Sequence, residues 1–126
     1  MSKSILKTAS IFLALAVAIG AFGAHGLKAR LSVEMMQIYK TGVEYHFYHA
    51  LGLFLVGVLP ISFPSKLLKL AAVFLTSGIV LFSGSLYILA ISGLNWFGAI
   101  TPLGGISFIA GWILIFTSFF KKLPQH

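Results

Sequence analysis

Apolar residues fall in four long blocks along this chain, and the stretches between and flanking them hold most of its lysine and arginine. Long blocks, rather than strict alternation, are the mark of helices that meet lipid on most sides. The blocks run over residues 5–24, 43–59, 68–92 and 102–120. A helix needs about 20 residues to cross a hydrocarbon core of roughly 30 Å, at about 1.5 Å per residue. Each block is therefore read as a membrane span, and the whole chain as a single membrane domain.

Local chemistry sets the ends. Gly26 permits the chain to turn after the first block, and Pro60 with Pro64 stops the second. Thr101 is expected as the N-cap of the fourth helix, with Pro102 at its first position, where no N–H is needed. Gly93 to Ile100 is then a connection, with Trp96 near the interface. Before the second block, Ser32 is a candidate N-cap and Glu34 suits a helix N-terminus. Met35, Met36, Tyr39 and Val43 share one face there, and Gln37, Lys40 and Glu44 another. The pattern predicts an interfacial amphipathic stretch that runs into span two and bends near Gly42.

The first block has one rival reading. Lys3 and Lys7 precede it, and Ala21-Phe22-Gly23 resembles a small-residue cleavage site, as in a secretory signal peptide. Three further apolar blocks and the large share of the chain that would be lost favour a retained span.

Composition agrees with the blocks. Of 126 residues, 59% are hydrophobic and 9% charged, and the mean hydropathy is +1.02. A soluble domain carries about 25% charged residues, so this chain cannot make an ordinary water-facing surface. The net charge is +7, from nine Lys/Arg against Glu34 and Glu44. The basic residues sit at block ends, at headgroup level, and no basic helix with interleaved aromatics exists, so nucleic acid is not an expected partner. The chain has no cysteine, which excludes disulfides and thiolate metal sites. Lys3, Lys7, Lys66, Lys69, Lys121 and Lys122 fall on one side of the four spans, and Lys28, Arg30 and Lys40 on the other. Six against three places both termini in the cytoplasm.

That topology gathers the unusual polar residues at the outer end: His25, Glu44, Tyr45, His46, His49, Ser83, Ser85, Tyr87 and Thr101. Polar and ionisable groups inside a span are costly and mark a candidate binding site. At about 100° per residue, His46 and His49 lie about 60° apart on their helix, whereas Glu44 points roughly 140° from His49. The competing role for each is structural: interhelical hydrogen bonds from His49 to a serine or tyrosine, a helix end at His25, pairing of Glu44 with Lys40. Small residues at four-residue spacing, Ala16, Gly20 and Ala24 in the first block and Ser107 and Gly111 in the fourth, suggest close helix packing. His25, His46 and His49 supply three nitrogens of the kind that bind zinc, copper or iron. No compact metal signature accompanies them, so no metal or cofactor is assigned. Ser83 and Ser85 lack a strand–turn–helix elbow, and the chain has no aspartate, so nucleophilic catalysis is not expected.

Four segments together, GAFGAHGL (20–27), TGVEYHFYHALG (41–52), LFSGSLYILA (81–90) and GAITPLGGISFIAGW (98–112), resemble in order and spacing the small four-span membrane proteins catalogued as domain of unknown function 423. That family includes the transmembrane protein 256 group. The resemblance covers nearly the whole chain and implies a multi-pass protein of bacterial plasma membranes and of internal or cell membranes in eukaryotes. It implies no activity. The family pattern usually reads tyrosine–glutamine in the second motif, whereas Tyr45 is followed here by His46.

The sequence thus predicts an all-α integral membrane four-helix bundle with the lipid bilayer as its first partner. The leading functional expectation is non-enzymatic binding of a small molecule or lipid, or a role in membrane assembly. The alternatives are a small proton-coupled transporter acting as a homo-oligomer, because four helices leave little room for an internal pathway, and a metal-dependent membrane enzyme.

Overall fold

The computed structural model describes residues 1–59 and 65–121, all helix, turn or short connection with no strand among them. Helix α1 (Lys3–Phe22) continues into a π-helical turn, Gly23–Leu27. Helix α2 is Val33–Val58. Helix α3 (Ser65–Gly78), a π segment (Ile79–Ser83) and α4 (Gly84–Ser92) follow one another without a break, and a 3₁₀ turn (Asn95–Ala99) leads to α5 (Thr101–Ser118). The expected stops at Pro60 and Pro64, and Lys122, lie outside the described residues.

Caps explain several boundaries. Ser2 Oγ accepts the Ile5 N–H, and the Ser2 N–H donates to the Gly57 carbonyl at 2.7 Å, which ties the start of α1 to the end of α2. Ser32 caps α2 as expected, its Oγ accepting the Met35 N–H at 3.1 Å. Helix α4 ends at Gly93, whose φ of +71° is a left-handed conformation that glycine adopts without strain. Thr101 departs from expectation. It opens α5 without capping it, because its hydroxyl turns to Ser85 instead, at 2.6 Å.

Among the described residues, three helical stretches are long and apolar enough to cross a membrane: Lys3–Leu27, Lys66–Ser92 and Asn95–Ser118. Helix α2 is not among them, which departs from the expectation of four spans. The amphipathic stretch and the second block are one unbroken helix, and Glu44, His46 and His49 dilute its apolar character. Three of its polar side chains are turned inward: Tyr39, His46 and His49 are buried, whereas Lys40 and Glu44 are exposed. Helix α1 packs antiparallel along one side of α2. The α3–α4 rod also packs against α2, and α5 lies antiparallel against that rod.

Two apolar clusters hold these pairs. One joins Ala9, Ala50, Leu53, Leu75, Ile79 and Phe108, and the other centres on Leu27, Tyr39 and Ala90. Close approach comes from small residues, as expected where lipid competes with apolar burial. Ala16 is buried, and a Cβ on Gly20 would stand 3.3 Å from Val43. On α5, Gly104 meets the backbone of Phe82, Gly111 meets Leu75, and Ser107 donates to the Phe74 carbonyl at 2.6 Å. Ala24, expected in the packing stripe, is exposed.

Candidate functional site

His46 sits at the centre of the bundle, 3% exposed. Its Nε2 lies 2.8 Å from the Phe12 carbonyl on α1, and its Nδ1 2.8 Å from the Tyr87 hydroxyl on α4. A carbonyl only accepts, so Nε2 carries the proton. Nδ1 is then the acceptor, and Tyr87 donates to it. One imidazole thereby joins three helices and has no nitrogen left for a ligand.

The neighbouring bonds follow the same plan of a side chain donating to the backbone carbonyl of another helix. Tyr39 donates to Ile19, and the fully buried Ser83 donates to Gly42 at 2.6 Å. Ser85 bonds the Phe82 carbonyl on its own rod and Thr101 on α5. Among the described residues, no buried side-chain nitrogen or oxygen lacks a partner. In lipid an unpaired polar group has no water to turn to, so such bonds act as braces between helices.

His49 has a different setting. Its Nδ1–H donates to the Tyr45 carbonyl one turn back at 2.7 Å. The ring stacks on Phe108, with centroids 3.5 Å apart, and on Tyr45, and it lies near Trp112. Gly52 makes room for Trp112, since a Cβ there would stand 2.7 Å from the indole. The expected bond from His49 to Ser83, Ser85 or Tyr87 is not formed. His25 lies exposed in the π turn after α1. The three histidines do not converge, and no group of three His, Cys, Asp or Glu able to hold a metal exists among the described residues.

The cluster predicted at one end is therefore mostly a set of braces. The open space at that end is elsewhere, between the π turn after α1 and the first turns of α2. A groove of about 660 Å³ has Gly23 and Ala24 on one wall and Leu31, Val33 and Met36 as its apolar lining. Lys28, Gln37 and Lys40 supply its polar groups. A narrower space of about 160 Å³ shares Gly23, Ala24, Met36 and Lys40 with it and reaches Gly20, Tyr39 and Glu44. Glu44 is exposed, and it forms no ion pair with Lys40.

Sequence reasoning counted Lys28 as a topology charge, took Lys40 for a topology charge and a partner of Glu44, and took Ala24 for a packing residue. The signal for a groove was the run of small residues, Gly20, Gly23 and Ala24, facing an amphipathic segment. The π turn that widens the end of α1 has no local signature in the sequence.

The profile of the family DUF423, described as a protein of unknown function, matches residues 19–105. The chain belongs to this family. The matched DUF423 region contains the π turn, all of α2 and the first turn of α5, and so the groove and the His46–Tyr87 brace, while Phe12, the other partner of His46, lies before it. The chain is 49% identical to the UPF0382 membrane protein YwdK of Bacillus subtilis over 114 residues, covering 86% of this chain and 89% of the relative. It is 47% identical to the UPF0382 membrane protein SH2409 of Staphylococcus haemolyticus, covering 85% and 87%. It is 42% identical to the UPF0382 inner membrane protein YgdD of Escherichia coli K12, covering 90% and 87%. No solved structure matches the chain. This DUF423 chain is accordingly a membrane protein.

Proposed function

We propose that this protein is a non-enzymatic, multi-pass membrane protein that binds an amphiphilic molecule drawn from the bilayer. The groove beside the π turn carries the reading: an apolar lining of Leu31, Val33 and Met36 beneath Lys28, Gln37 and Lys40 suits an acyl or other apolar chain with a polar head. The braces support the non-enzymatic part, because His46, Ser83 and Ser85 are occupied in holding helices together. The excess of lysine at the end that holds the start of α1, the start of α3 and the end of α5 supports cytoplasmic termini.

Ala24 is exposed and lines the groove, so Ala24→Trp fills the space without touching the core. In native mass spectrometry of protein extracted in mild detergent, the unsubstituted chain is expected to carry a bound amphiphile and Ala24→Trp to lose it. An adduct of the same mass and abundance on both would end the proposal.

Glu44 at the narrow end of this groove favours a second reading, a proton-coupled transporter acting as a homo-oligomer. The carboxylate is exposed and forms no ion pair with Lys40. On that reading Glu44→Gln abolishes ethidium efflux from expressing cells, and efflux equal to the unsubstituted protein removes it.

A further inference from the structure

We propose that a second cleft, between α1 and α3 at the opposite end of the bundle, holds the headgroup of an anionic phospholipid. Helices α1 and α3 flank α2 there and leave a space of about 450 Å³ with Leu53 and Ala72 at its base. Ser4 and Thr8 stand on one wall, and Lys69, Thr76 and Ser77 on the other.

The hydroxyls carry the argument. A serine or threonine in a helix ordinarily bonds to a carbonyl one turn back. Thr8, Ser10, Thr41 and Ser92 do so here, and the interhelical braces occupy Ser83 and Ser107. Among the described serine and threonine side chains, Ser4, Thr76 and Ser77 are the ones without a hydrogen bond inside the protein, and all three line this one cleft. Three unused O–H donors and the Lys69 ammonium line the same cleft, which thus offers protons and positive charge. Glu34 and Glu44, the chain's only acidic side chains, are at the other end of the bundle, so no acidic side chain in the cleft competes for them.

The complementary partner is anionic and rich in acceptors. A phosphodiester meets this at Lys69 and Ser4. Thr76 lies seven residues further along α3, about 10 Å deeper, at a level suited to the ester carbonyls of the same lipid. Ile5 and Val73 give the cleft apolar sides, and α1 and the α3–α4 rod are both long and apolar enough to cross the bilayer. Entry is therefore sideways from lipid. The site shares no residue with the groove near Lys28 and stands whether or not that groove binds an amphiphile.

The test uses the full chain carrying Ala24→Trp, which keeps the other groove closed, titrated in detergent with dioleoyl phosphatidylglycerol and read by native mass spectrometry. Removing the three hydroxyls (S4A, T76V and S77A together) is expected to weaken binding roughly tenfold or more, by the loss of charge-assisted hydrogen bonds. Lys69→Gln is expected to do the same. Ser10→Ala, which removes a hydroxyl outside the cleft, should change nothing. Since the deleted hydroxyls bond to nothing in the protein, helix content by circular dichroism should stay constant. Should the triple variant fail to fold, the exposed Lys69→Gln decides alone. Unchanged phosphatidylglycerol affinity in the folded variants overturns the proposal. So does equal affinity for dioleoyl phosphatidylcholine, or an equal loss in Ser10→Ala. Displacement of the lipid by excess inorganic phosphate would show a free-phosphate site and overturn the lipid assignment.

Discussion

Gly104→Ala is expected to detach α5 from the bundle. A Cβ at this position would lie 2.3 Å from the Phe82 nitrogen and 2.7 Å from its Cα. Both are backbone atoms of the π segment, so no side chain can swing aside, and the helices themselves must part. Elsewhere the tightest glycines face side chains, such as Gly23 against Tyr39 and Gly78 against Phe108, where a ring can adjust. Overpacking commonly costs about 1–3 kcal/mol, and a clash with backbone belongs at the top of that range or above it. Separation would also stretch the Ser85–Thr101 bond that joins α4 to α5. Gly84 is the control. A Cβ there meets nothing within 4 Å, and alanine is the better helix former by about 1 kcal/mol. Chemical unfolding in detergent should show Gly104→Ala strongly destabilised and Gly84→Ala unchanged or slightly stabilised. Equal stability of Gly104→Ala and the parent would mean that α5 and the π segment do not approach this closely.

Loss of His46 is the second large effect. His46→Leu removes the donor to the Phe12 carbonyl and the acceptor for Tyr87, whose half-buried hydroxyl loses that bond. Interhelical hydrogen bonds in membranes contribute about 0.6–2 kcal/mol each, and an abandoned buried donor costs about 1–3 kcal/mol. The expected destabilisation is about 2–4 kcal/mol. His46→Gln should recover most of it, because an amide also offers a donor and an acceptor. Tyr87→Phe removes the partner that His46→Leu would strand, so the double variant should lose less than the sum of the two single losses. Full additivity in the unfolding free energies, or a glutamine variant as unstable as leucine, would contradict the bonding scheme. A His46→Gln protein as stable as the parent would further identify position 46 as a neutral brace.

The two variants show where reading from the sequence stops. Ser32 as a helix cap, the apolar blocks and the charge at their ends could be read from residue type and spacing, since each depends on neighbours a few positions away. The same local logic located His46, His49, Ser83, Ser85, Tyr87 and Thr101 as unusual. It left their roles open, because a polar side chain in lipid is defined by the atom it faces. It also overestimated α2 as a span, since block length was given more weight than the polar residues within it.

What the sequence alone determined is the solvent of this protein: 59% hydrophobic residues in long blocks with nine basic residues mostly at their ends specify helices for a bilayer, whatever their neighbours. Tertiary structure decided how each helix is rotated about its axis. Contacts such as Gly104 on Phe82 and bonds such as His46 to Phe12 set those rotations. They turn Ser83 toward a carbonyl and Ser4, Thr76 and Ser77 into an open cleft. Residue spacing along one helix gives the angles between its own side chains, but it contains no reference to the next helix. Whether a given hydroxyl braces the bundle or faces a ligand is therefore settled only when the helices meet.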